Sequence, residues 1–267
     1  FIFPRINWGP KSENIRQIAK DIDIGLDTFV FVDDNPFELE EVGQALPMVE
    51  CVPVAQLRTL SSHERLRGST SAEAKTRRKM YREAMVRVEA AAAFGDDYIA
   101  FLRSCGIRLV VRPDRQEDFE RIAELVQRTN QLNFSGHKYG RDEIHALLSD
   151  PTLERYVLIC EDRFGRYGTV GFCLARRAGS TVRLQDFMLS CRVQGKFVEA
   201  ALFDRLCNPP GGNPAEIIEV DFRRTARNAP AQQVLGKLGF DTAAESPLRK
   251  AVERDSFAVD FIDIVHE

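Results

Sequence analysis

The chain has 267 residues, enough for two ordinary domains with separate cores. Its 44% hydrophobic and 29% charged content is that of a globular protein, and a formal charge of −3 gives no general pull toward nucleic acid or an anionic membrane. No apolar run reaches the roughly 20 residues that span a bilayer, and no signal peptide is visible. The six cysteines are scattered without a C-x-x-C pair, and Cys160 and Cys173 lie in apolar, strand-like runs as small core residues. With only four scattered histidines a zinc site is not expected, and the chain reads as reduced and cytoplasmic.

The opening "FIFPRINW" is apolar and strand-like from its first residue, so the sequence reads as part of a longer protein. Residues 12–24 place Ile15, Ile18, Ala19 and Ile22 at helical spacing, with Ser12 as N-cap and Gly25 as the stop. Thr28–Val32 reads as a buried strand that runs into Asp33 and Asp34. Asn35-Pro36 then turns into a helix with Pro36 at its first position, and "MVECVPV" reads as a second strand. Residues 1–57 therefore form one part of an α/β sheet. Residues 58–95 read as a linker that becomes a charged, solvated helix through "AKTRRKMYREAMVRVEAAAAF".

The pattern restarts at residue 96. "DDYIAFLRSCG" predicts a helix closed by Gly106, "IRLVVRP" a strand, and "QEDFERIAELVQRTNQ" and "YGRDEIHALLSD" two helices. "RYVLICEDR" and "GTVGFCLARR" predict a hairpin across Gly165 and Gly168, and "TVRLQDFMLS" a further strand. "VQGKFVEAALFDRLC" predicts a helix, "EIIEVDFR" a strand and "APAQQVLGKLGF" a last helix. Residues 96–267 thus read as an α/β domain with a mixed sheet.

Adjacent carboxylates at the carboxyl end of a strand repel each other unless a proton or a cation intervenes, and their hard oxygens suit Mg²⁺. The alternative is that one of Asp33 and Asp34 caps the helix at Pro36 and the other faces water. Lys11, just before a helix, can meet phosphate oxygens together with the helix N-terminus. Asn130, Gln131 and Asn133 form a polar loop, either as turn chemistry or as amides that bond a pantetheine chain. Cys191 lies between a strand and a helix start, where a thiolate is stabilised, or is simply structural.

The stretch "INWGPKSENIRQIAKDIDIGLDTFVFVDDNPFELEEVGQALP" resembles the haloacid dehalogenase-type (HAD-like) domain of FkbH-like proteins. The resemblance continues through "RTNQLNFSGHKYG", "EDRFGRYGTVGF", "FMLSCRVQGKFVEAAL" and "LGKLGF". It implies that Lys11 is the third phosphatase motif and that Asp33 and Asp34 are the acidic Mg²⁺ site. It also implies an upstream half, with an Asp-x-Asp nucleophile and a glyceryl-accepting Cys, so the chain alone is expected to be inactive in phosphoryl chemistry. The implied activity is removal of phosphate from a glycerate-derived donor, 1,3-bisphosphoglycerate, and loading of the glyceryl group onto an acyl carrier protein for polyketide extender units.

For residues 96–267 the resemblance implies the acyltransferase fold known as GNAT. Arg192 and Gly195 match that fold's pyrophosphate turn, but Phe197 stands where a small residue is usual, so acyl-CoA is not expected as a cofactor. The ring either joins the core or fills the pyrophosphate position. The two other readings are a non-catalytic carrier-protein docking module and a GNAT acyltransferase that uses acyl-CoA.

Overall fold

In the computed structural model, residues 3–22, 24–62, 66, 72–253 and 255–266 are described. Contacts divide the chain into Phe1–Arg82 and Glu83–Glu267.

The first unit contains α1 (Lys11–Ile22), β1 (Val30–Asp33), α2 (Pro36–Ala45) and β2 (Glu50–Pro53). The two strands pair in parallel, from Val30 opposite Glu50 to Asp33 opposite Pro53. Buried Ile15, Val42, Leu46 and Val49 make its core. Three local expectations are corrected. Residues 3–10 form bends rather than a strand, and Ile6 and Trp8 are fully exposed. Ser12 lies inside α1, where its backbone N–H (3.1 Å) and its hydroxyl both donate to the Glu41 carboxylate on α2. The helix also ends before Gly25, which precedes a short 3-10 turn, Leu26–Thr28.

Of the expected linker, residues 63–65 and 67–71 lie outside the described residues. The long helix α3 (Ala72–Ala92) is only partly a solvated connector. From Glu83 onward it belongs to the second unit. Ala90 and Ala91 pack on that unit's core, and Arg87 is buried against Asp162, with Nε and Nη2 donating at 2.7 and 2.9 Å.

The second unit continues through α4 (Tyr98–Cys105), β3 (Ile107–Pro113), α5 (Phe119–Arg128), α6 (Arg141–Ser149), β4 (Glu154–Asp162), β5 (Gly165–Ala178) and β6 (Thr181–Leu189). It ends with α7 (Val198–Cys207), β7 (Ile217–Val220), α8 (Ala229–Lys237), β8 (Leu248–Ala251) and β9 (Ile262–His266). The seven strands lie in the order β8-β7-β6-β5-β4-β3-β9. The β3/β9 and β6/β7 pairs are parallel and the others antiparallel, so the sheet is mixed as expected. β8 and β9 go beyond the predicted elements.

Amphipathic α5 and α6 bury Ile122, Val126 and Ile144 against Phe172, Leu174 and Met188. A larger cluster contains Phe134, Phe187, Phe203, Leu202 and Leu235. A strand buried on both faces needs apolar residues at successive positions, and Phe187, Met188 and Leu189 of β6 supply them.

Candidate functional site

In the first unit, Asp33 ends β1 at its carboxyl edge, as the sequence predicts, and Lys11 is the first residue of α1. Asn35, not an aspartate, caps α2: its Oδ1 accepts the Phe37 N–H at 3.0 Å, with Pro36 at the first helical position. Asp33 Oδ1 in turn accepts the Asn35 N–H at 2.9 Å, so this carboxylate shapes the turn, while Asp34 is exposed. Among the described residues Lys11 has no ion pair with either aspartate, and no group of three acidic, Cys or His side chains is placed to hold a metal. Two carboxylates, one of them engaged by a backbone N–H, do not by themselves make a Mg²⁺ site, which wants near-octahedral oxygen ligation.

The second unit offers more. β6 and β7 pair in parallel over four residues only, ending with Leu184 opposite Val220. Beyond that point they part, and an irregularity in the β5/β6 register sets Ala175 opposite Leu184 but Leu174 opposite Asp186. The exposed edge of β6 is taken up by a loop from the α5–α6 connection. Leu189 N–H donates to Leu132 O at 3.0 Å, and Phe134 N–H to Phe187 O at 3.1 Å. The same loop is held from the β7 side, where Arg223 N–H donates to Phe134 O at 3.1 Å and Ala231 N–H to Gln131 O at 3.2 Å. Fully buried Asn228 donates its Nδ2 to Asn133 O and to Arg223 O, both at 2.9 Å.

Asp186 lies where the strands part and is 2% exposed. Both carboxyl oxygens are shut from solvent without a partner of full hydrogen-bond geometry. The nearest compensation comes from the Tyr139 and Ser135 hydroxyls and His137, all on the loop. Burial pushes the Asp186 carboxyl above the ordinary carboxylate range, against the opposing pull of those neighbours. Burial and then the Asp186 charge push the Tyr139 phenol well above its usual range. His137 Nδ1 lies 3.2 Å from the Tyr139 hydroxyl, and its ring is exposed. A buried carboxyl, a phenol held protonated and an accessible imidazole are thus brought together, a grouping able to stabilise a developing anion and carry a proton.

Of the expected amides, Asn133 is 2% exposed and spends its side chain on the loop itself. Its Nδ2 donates to His137 O at 2.7 Å, and its Oδ1 accepts the Gly136 N–H at 2.8 Å. The side chain of Asn133 is thus engaged in turn chemistry, one of the two roles the sequence offers for it. Asn130 is half-buried and Gln131 exposed. Sequence reasoning missed Asp186, Ser135, His137 and Tyr139. An acid inside the apolar run "TVRLQDFMLS" was the available signal.

The turn between β6 and α7 satisfies part of its own backbone. The N–H groups of Val193, Gln194 and Lys196 donate to the carbonyls of Ser190, Cys191 and Val193. Gly195 is exposed at φ +74°, where a side chain is disfavoured. Arg192 turns inward, donating to Tyr167 O at 2.6 Å and Thr169 O at 3.3 Å. Phe197 is not part of the helix, as its apolar spacing had suggested, but its N-cap, in the left-handed region at φ +62°. Its ring is partly exposed and meets Phe261 edge-on, with centroids 5.7 Å apart. Glu199, in the first turn of α7, is 8% exposed with an unpartnered Oε2, and burial raises its pKa. Cys191 is half-buried.

Comparison with family models and with curated proteins gives no match. Part of the chain is similar to solved acetyltransferase domains. One is the ribosomal-protein-S18-alanine N-acetyltransferase from Escherichia coli, with 12% identity, TM-score 0.37, and coverage of 50% of this chain and 77% of that one. Another is the GNAT domain of S. lividans PAT, with 14% identity, TM-score 0.39, and coverage of 53% and 89%. A third is the diaminobutyrate acetyltransferase from Paenibacillus lautus, solved with its substrate and coenzyme A, with 22% identity, TM-score 0.35, and coverage of 49% and 74%. These likenesses concern about half of the chain, and among the described residues no helix is long and apolar enough to cross a membrane.

Proposed function

We propose that the second unit performs acyl transfer of the GNAT type and takes its acyl group from the phosphopantetheine arm of an acyl carrier protein rather than from free coenzyme A. The observation that carries this reading is the parting of β6 from β7 at buried Asp186, beside Tyr139 and His137. In the proposed reaction, His137 takes the proton from the acceptor hydroxyl or amine as it attacks the thioester carbonyl. The Tyr139 phenol, kept protonated beside Asp186, turns its one hydrogen from that carboxyl to the oxyanion of the tetrahedral intermediate. Collapse breaks the C–S bond, and the departing thiolate receives the proton held on His137.

The preference for a carrier over coenzyme A rests on the β6–α7 turn. A pyrophosphate needs free backbone N–H groups, and here three are bonded within the turn while a buried carboxylate occupies the first turn of α7. An extended arm also cannot pair with β6 beyond Leu184, because Leu132–Phe134 already do so. The arm then approaches from the exposed side of the 135–139 loop.

The finer reading, dephosphorylation of a phosphorylated three-carbon donor and glyceryl loading for polyketide synthesis, rests on the resemblance of Lys11, Asp33 and Asp34 to phosphatase motifs. The carboxylate pair does not complete a Mg²⁺ site, and no step above passes through a metal.

Transfer by the wild type and by Tyr139→Phe from an acylated carrier protein tests this. The variant should fold normally and lose roughly 10²-fold in rate, as is usual on removal of one oxyanion donor. An undiminished rate would remove Tyr139 from the mechanism.

A further inference from the structure

We propose that Arg223, Arg224 and Arg227 form a docking surface for the acidic face of a carrier protein, an inference that rests on the acyl-transfer reading for its choice of partner. The second unit pairs many of its arginines with carboxylates. Arg87 holds Asp162, Arg112 holds Asp118, Arg155 holds Asp114, Arg176 holds Asp150, and Arg183 holds Asp221. Against that habit, three exposed arginines stand within five residues just after β7 and have no carboxylate partner among the described residues. The whole chain carries −3, so these cations do not reflect a generally basic protein. An unpaired cluster on an otherwise paired surface makes a local positive field for an anionic partner.

The cluster is fixed beside the candidate site. Arg223 N–H bonds Phe134 O, and Arg223 Nη2 approaches Gly136 O at 3.4 Å. Thr225 N–H donates to Asn228 Oδ1 at 2.7 Å, and Asn228 ties the same segment to Asn133. A Cβ added at Gly136 would come within 2.7 Å of the Thr225 methyl carbon, so the two segments pack closely. Lys138 lies near enough that Arg227 helps depress its pKa, after burial, but its amine is spent on the carbonyls of Val126, Gln127 and Thr129. The nearby carboxylate of Asp221 is neutralised by Arg183, whose Nη2 lies at 2.8 Å. The arginines thus stand unpaired next to His137 and Tyr139, where the other charge at the loop is the Glu143 carboxylate, which accepts the Gly140 N–H at 2.6 Å. An acidic protein surface around the serine that bears phosphopantetheine would meet them as its arm reaches the loop.

The test uses the full chain and its Arg224→Glu/Arg227→Glu variant, with Arg224→Gln/Arg227→Gln as a milder pair. Affinity for a phosphopantetheinylated acyl carrier protein is measured at two salt concentrations, alongside acyl transfer from a small pantetheine thioester. Charge reversal should weaken carrier binding by about tenfold and flatten its salt dependence, with the glutamine pair in between. Transfer from the small thioester should be unchanged. Equal carrier affinity in wild type and both variants would overturn the proposal, as would equally tight binding of a single-stranded RNA. If the reversal weakens carrier binding while the wild type transfers from neither donor, the docking surface stands and the acyl-transfer reading falls.

Discussion

The two units are both α/β, yet they secure their sheets differently. Among its described residues, Phe1–Arg82 has two parallel strands and a core cluster built on Ile15, Val42, Leu46 and Val49, and it leaves Trp8, Phe37 and Leu57 exposed. Glu83–Glu267 covers a seven-stranded mixed sheet and places buried ion pairs within it. Parallel strands are normally covered on both faces, because the helices that connect them lie against the sheet. In the first unit much therefore hangs on local devices, the Asn35 cap and the Ser12–Glu41 link. In the second, a large core tolerates buried charge, including a carboxyl with no full partner. Spare packing energy permits a buried polar site, and among the described residues the second unit shows one.

The largest effect should come from Asp162→Asn. Asp162 accepts from Arg87 and from the Tyr167 hydroxyl at 2.6 Å, and both side chains of the ion pair are nearly inaccessible. Removing its charge leaves buried Arg87 without its hydrogen-bonded carboxylate, at a cost of about 3 kcal/mol read as a fall in the urea midpoint. An unchanged midpoint would mean the core does not depend on that pair.

Leu46→Ala should cost about 2 kcal/mol, and hydrogen exchange should place the loss in the first unit alone. Loss of protection throughout Glu83–Glu267 would show that the units do not unfold separately. Asn35→Ala, which removes the α2 cap, should cost about 1 kcal/mol, again visible only in first-unit amides.

The smallest effect concerns pH. Burial raises the Asp186 carboxyl, so the folded state binds its proton more tightly than the unfolded state does. This contribution to stability is fully present below the ordinary carboxylate pKa of about 4. It declines as pH rises to the raised folded value and is flat above it. Asp186→Asn should remove that component from the stability–pH curve. A variant curve parallel to the wild type across this window would mean that Asp186 is not raised.

Much of this architecture was legible because periodicity carries it. The α5 stripe and the β4–β5 hairpin declare themselves by spacing and by paired glycines. β9 did not, because "IDIVH" is a short edge strand whose partner, β3, lies far back in the chain. Phe197 read as helical because apolar spacing says nothing about a positive φ. An acid at the carboxyl end of β1 was legible, although the strand runs one residue past the expected Thr28–Val32 to Asp33, and the bond from Asn35 was not. The site at Asp186 was hidden for a different reason: Tyr139 and His137 reach it through a loop whose path follows from tertiary packing, not from local sequence.

Single-turnover acyl transfer from two donors that bear the same acyl group, an acylated carrier protein and the corresponding acyl-CoA, decides which donor the second unit uses. Transfer should occur from the carrier, lowered about 10²-fold in Tyr139→Phe, with little or none from the acyl-CoA. Efficient transfer from acyl-CoA with the carrier inert would contradict the proposed donor, and would show that the turn from Cys191 to Phe197 admits a pyrophosphate despite its own hydrogen bonds.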